Sequence, residues 1–174
     1  PRLASDAEER RRHEALELGI YQACDRLARD LIACVDERET LLALISDHGA
    51  KPAGHPGIDA NALLRDAGLL TRQAGGTIDW SRTRAYAMGL GQIYFNLRGR
   101  EGQGIVSTGE EYRALADDLS KRLIASLVDP DTGAPIVTNV YKRDDVYTGE
   151  YLHNASDLQV GLADGYRVSW QTTI

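Results

Sequence analysis

Apolar side chains recur at spacings of three and four through residues 6–36, at Leu16, Ile20, Cys24, Leu27, Leu31 and Val35. That period predicts a long amphipathic helix with Glu9, Arg12, Glu17 and Arg26 on its other face. The charged run Glu8 to Arg12 reads as a solvated helix end. The pattern then shortens. Thr40 to Ser46 is apolar throughout its middle, the look of a buried parallel strand. Residues 59–67 suit a short helix stopped by Gly68. Thr83 to Ala87 and Gln92 to Leu97 read as strands joined through Gly89-Leu90-Gly91. Ser107-x-x-Glu110 has the form of a capping box that opens a helix to about Val128. Its stripe is Tyr112, Leu115, Leu119, Leu123 and Leu127. Asp129 to Gly133 is a turn. Ile136–Tyr141, Asp157–Leu162 and Tyr166–Trp170 complete the expected strands. The order of helices and strands predicts an α/β fold with a mixed sheet and flanking helices.

Composition narrows the function without naming it. The chain has 174 residues, 43% apolar and 26% charged, which suits one globular domain with a real core. No segment approaches the roughly 18 consecutive apolar residues of a membrane span. A net charge of −6 argues against non-specific nucleic-acid binding, which needs a basic face. Cys24 and Cys34 lie ten residues apart in the predicted helix, too far to bridge. They read as reduced packing cysteines and lean the assignment toward the cytoplasm.

Ser46-Asp47-His48-Gly49 is the sharpest chemical signal. A carboxylate and an imidazole stand side by side where a strand ends, and open α/β sheets bind ligands at that end. Neighbouring strand side chains point to opposite faces, so the pair converges on one ion only if the backbone turns there. Gly49 permits such a turn. Oxygen and nitrogen donors of this kind suit zinc or manganese. From residue types alone, the plainer reading makes Asp47 a cap and His48 a hydrogen-bonded loop residue. His55 stands near as a third donor or as an exposed loop histidine. Arg98 and Arg100, in a glycine-rich connection, offer forked hydrogen bonds to a phosphate, and a solvated loop explains them equally well. Gly89-x-Gly91 lacks a helix behind it and reads as a hairpin connection, not a dinucleotide fingerprint.

The stretch Leu41 to Gly49 resembles the metal-binding strand end of the alkaline phosphatase superfamily. The resemblance is to its type I phosphodiesterase/nucleotide pyrophosphatase branch, which includes predicted phosphohydrolases and phosphomutases. Ile78 to Tyr86, Gly91 to Glu101 and Gly165 to Trp170 resemble segments of the same branch, and the likeness covers residues 14 to 172. It implies two divalent metal ions, a threonine or serine nucleophile and a phosphate-ester substrate. Residue by residue, only Asp47 and His48 match the family's ligands. The nucleophile would lie upstream. The family's Asp-x-x-x-His is not supplied by Asp6 and Arg10.

The chain is therefore expected to be an internal piece of a phosphohydrolase or phosphodiesterase, inactive by itself. Residues 1–58 would belong to the metal-binding core, 59–155 to an inserted or cap-like α+β subdomain, and 156–174 to return strands. Self-association is expected if sheet edges are left open. The alternatives are a non-catalytic binding domain, or a phosphomutase or sulfatase of the same superfamily.

Overall fold

The computed structural model describes residues 7–36, 38–49 and 54–169. The chain divides into two compact units, Pro1–Gly49 and Ala50–Ile174.

The first unit is built on helix α1, Ala7–Ile32. Glu8 and Glu9 in its first turn and Arg29 in its last complement the helix dipole. An Asp25–Arg29 pair spans one turn of its surface. Its last turn tightens, with Cys34 N–H donating to Leu31 O and Val35 N–H to Ile32 O. Asp36 then accepts the Arg38 N–H at 3.0 Å, starting a turn. No residue of α1 is buried. Cys24 and Cys34 are free and exposed, which corrects their expected packing role. The strand expected at Thr40 to Ser46 does not form either. Leu41 and Leu44 are each 94% exposed, and these residues join no ladder. Apolar and β-branched side chains favour an extended backbone, but a strand also needs a neighbour for its N–H and C=O groups. No described residue supplies one.

The second unit is an α/β assembly with a real core. Helix α2, Ala60–Asp66, is capped by Asp59, whose carboxylate accepts the Asn61 and Ala62 N–H groups at 2.9 and 3.2 Å. Gly68, at φ 75°, ends it as expected. Strands β1, Ala85–Met88, and β2, Gln92–Phe95, pair antiparallel around the Gly89–Gly91 turn. The buried Asn61 ties α2 to β1. Its amide donates to Ala87 O at 3.0 Å and accepts the Ala87 N–H at 2.7 Å.

Helix α3, Glu110–Ser126, buries Leu115, Ala116, Leu119 and Leu123. The capping box is displaced. The cap position is Gly109, at φ 88°, and no side chain caps the helix. The Ser107 N–H is instead taken by Glu111, which also holds Arg84. Gly109 turns the chain in a way Ser107 cannot, so the helix starts later than the motif implied.

Strand β3, Val137–Lys142, leads into the single-turn helix α4, Arg143–Val146, and then to strand β4, Leu158–Leu162. The sheet order is β1-β2-β4-β3, every pair antiparallel. Among the described residues, parallel pairing is confined to isolated bridges such as Ile58 with Val168. That bridge is all that forms of the strand expected at Tyr166–Trp170, and Trp170 lies outside the described residues. Phe95, Leu64, Ile93, Leu119, Leu158, Val106 and Val137 form the fully buried centre. Burial of each large side chain contributes about 1.5–3 kcal/mol.

Candidate functional site

The backbone bends at Asp47, and the bend changes which atoms can meet. The Asp47 carboxylate accepts the His48 N–H at 3.0 Å, while its other oxygen lies 3.3 Å from His48 Nε2. His48 Nδ1 lies 2.9 Å from Gly49 O, a carbonyl that can only accept, so Nδ1 carries the hydrogen there and Nε2 is the ring atom that faces the carboxylate. Ser46 Oγ donates to His48 O at 2.8 Å and closes the turn. Metal–ligand bonds of about 2.0–2.1 Å in a tetrahedral shell separate donors by roughly 3.3 Å. The two donor atoms thus have the bite of one zinc-sized ion. They do not complete a centre. Both side chains are largely exposed, at 87% and 78%, and no group of three or more metal-binding side chains occurs among the described residues. His55 is engaged elsewhere, stacked 4.0 Å from the Tyr166 ring.

Arg98 and Arg100 lie in the connection after β2. This connection folds back tightly, and Leu97 bridges to Val106. A methyl group on Gly104 would fall 1.9 Å from Leu97 O, so only glycine fits there. Below the turn, the amide of buried Asn96 donates to Trp80 O and Thr83 O at 2.9 Å and to Gln103 O at 3.1 Å.

The two arginines have different surroundings. Arg100 is turned inward. It grips the fully buried Asp157 at 2.6 and 3.1 Å, Phe95 O at 2.8 Å and Glu101 at 2.8 Å. Burial works against its charge, but the hydrogen bonds and charge of Asp157, and then of Glu101, outweigh that and hold its pKa above the ordinary value. Arg98 is exposed and spends only its Nε–H, on Ile105 O at 3.2 Å.

Both arginines line a cleft of about 500 Å³, together with Tyr112, Arg113, Arg143 and His153. Arg143 lies over the Tyr112 ring at 5.2 Å and donates to Asp144 at 2.8 Å and to Asp157 at 3.4 Å. Burial, then the Asp157 charge, raises the pKa of Tyr112, which stays protonated.

Asp157, Arg113 and Arg143 were not singled out as site residues from the sequence, and Tyr112 was read only as part of the α3 stripe. The only trace of Asp157 was a polar residue opening a predicted strand. Nothing local marks a carboxylate that pairs with an arginine 57 residues away.

No curated protein and no solved structure gives a significant match. The family model for type I phosphodiesterase / nucleotide pyrophosphatase matches residues 14–171, nearly the whole chain and both units. The Asp47–His48 turn and the arginine cleft both fall inside that match. The chain belongs to the type I phosphodiesterase / nucleotide pyrophosphatase family, whose members act on small phosphoester substrates and are typically metal-dependent.

Proposed function

We propose that this chain supplies part of a metal-dependent phosphohydrolase or phosphodiesterase, with Asp47 and His48 as two ligands of one of two divalent ions, zinc or manganese. The observation that carries this reading is the 3.3 Å approach of carboxylate oxygen and imidazole nitrogen. Such ions polarise phosphoryl oxygens and lower the pKa of a nucleophile. The remaining ligands and a threonine or serine nucleophile would come from outside these residues. Asp47 contributes an oxygen and orients His48 through its N–H, and His48 presents Nε2.

Arg98 and Arg100 contact the substrate in this reading, Arg98 directly and Arg100 as the anchored wall of the same cleft. Residues 1–58 then belong to the metal-binding core and 59–155 to a cap-like subdomain. β4, from residues 156–174, lies in the same sheet as β2 and β3. Free Cys24 and Cys34 support a cytoplasmic setting. The exposed side chains of Leu41, Leu44 and Ile45 support self-association, which sedimentation velocity would test.

The test of the metal reading uses the chain itself. Zinc is titrated while the His48 ring protons are followed by NMR. They shift in the wild-type chain, weakly and in fast exchange, and the shift is lost in Asp47→Ala. An equal shift in both proteins ends the pairing of these ligands. Phosphodiester hydrolysis by the pure chain would show that the reading has misplaced the nucleophile. The second reading is a non-catalytic binding domain. It draws on the fact that no third metal-binding side chain joins the pair among the described residues. No zinc response in the wild-type chain would favour it.

A further inference from the structure

We propose that the cleft between the N-terminus of α3 and α4 is an anion site for a phosphate group, formed within the second unit and independent of any metal. Its inner wall is fixed. Arg100 and Arg143 have side-chain exposures of only 18% and 15% and are both anchored on buried Asp157. After those contacts Arg143 Nη2 has no hydrogen-bond partner among the described residues, and the side chain lines the cleft.

The outer wall carries the net charge. Arg98 and Arg113 line the cleft, and neither is paired with a carboxylate among the described residues. Asp144 also lines it and would repel an anion, but Arg143 Nε holds it at 2.8 Å. Gly109, the uncapped start of α3, also lines the cleft, and the first N–H groups of a helix have no partner within it. Its first-turn acids, Glu110 and Glu111, do not line the cleft. Forked guanidinium donors match the oxygens of a phosphate, and two of them are already held in place. Assigning the bound phosphate to a substrate rests on the phosphoester reading above; the anion binding itself does not.

The experiment is calorimetric titration of the whole chain with inorganic phosphate, at low salt and with EDTA present to remove metal-borne phosphate. Saturable binding is expected, weakened about tenfold in Arg113→Gln and about tenfold in Arg98→Gln, as loss of one charge-assisted contact implies. Both side chains are exposed, and the only described hydrogen bond lost is the one from Arg98 Nε to Ile105 O, so circular dichroism of both variants is expected to match the wild-type chain. Absence of saturation up to about 10 mM phosphate overturns the site, since binding that weak carries under about 3 kcal/mol. Binding that survives unchanged in the double variant Arg98→Gln/Arg113→Gln also overturns it. A failure of the metal reading would show separately, in the zinc titration.

Discussion

Helices α1 and α3 carry the same kind of apolar stripe, spaced by three and four, and the molecule treats them differently. In α3, Leu115, Leu119 and Leu123 are 4%, 0% and 5% exposed and pack into the core of the second unit. In α1, Leu16, Leu27 and Leu31 are each 60% exposed. The difference lies in what surrounds each helix. α3 lies against β3 and the aromatic side chain of Phe95, which meets Tyr112 at 5.3 Å. In α1 the local determinants of a helix are present, with dipole-matched ends and an i,i+4 ion pair, yet no residue is buried. A stripe therefore specifies the element and the face that seeks cover, not the cover itself.

The largest effect that tests this contrast lies at Asp157. Its carboxylate is fully buried and is held by Arg100, Arg143 and the Phe95 N–H at 2.6 Å. Asp157→Ala leaves two guanidinium groups without their shared anion and should cost about 3–5 kcal/mol. Chemical denaturation followed by circular dichroism measures it. A cost below about 1 kcal/mol would mean that the arginines rehydrate, and that the second unit is no more tightly bound together than the first.

A matched pair of substitutions comes next. Leu64 is fully buried, and Leu64→Ala should cost about 2–5 kcal/mol. Leu27→Ala, on the exposed stripe, should stay within about 0.5 kcal/mol. The same denaturation series reads both. A Leu27→Ala cost near 2 kcal/mol would show that the α1 stripe is packed in solution and would dissolve the contrast.

Much of the fold was legible where local chemistry decides it. Gly68 and the Gly89–Gly91 turn placed α2 and the β1–β2 hairpin within a few residues. The stripes placed α1 and α3. The sequence was less informative where a partner decides the outcome. Thr40 to Ser46 has strand composition, yet no described residue pairs with it. The strand expected at Tyr166–Trp170 likewise needed a long ladder, and its described residues make a single bridge. For α3, a glycine with positive φ outweighed a serine in cap position.

Sites followed the same rule. Asp47 and His48 are adjacent in sequence, so their encounter could be anticipated once a turn was allowed at Gly49. The arginine cleft gathers residues from the loop after β2, from α3 and from α4. Only folding brings those together, through Asp157, which has no local signature.

The smallest expected effect is a hydrogen bond at the rim of the second unit, and pH reads it. The Tyr166 hydroxyl donates to Asp129 at 2.5 Å, inside the turn where Asp129 also accepts the Asp131 and Thr132 N–H groups. The Tyr166 hydrogen bond, with those from Thr132 next, pulls the Asp129 pKa down to about 2. A carboxylate whose folded pKa is depressed stabilises the fold above its unfolded pKa, near 4. It loses that contribution as pH falls from about 4 to about 2. The same bond raises Tyr166 to about 12. That contribution is full below the unfolded value of about 10 and is lost as pH rises through about 10 to 12. Melting temperatures of the wild-type chain, Asp129→Asn and Tyr166→Phe across both windows separate the two limbs. Asp129→Asn should remove the acid limb and weaken the alkaline one, and Tyr166→Phe should remove the alkaline limb and only part of the acid one, since the Thr132 and Asp131 bonds remain. If all three proteins lose stability in parallel, the turn at Asp129 is as solvated as the Asp47–His48 turn. Secondary structure in the second unit would then owe its order to the core alone.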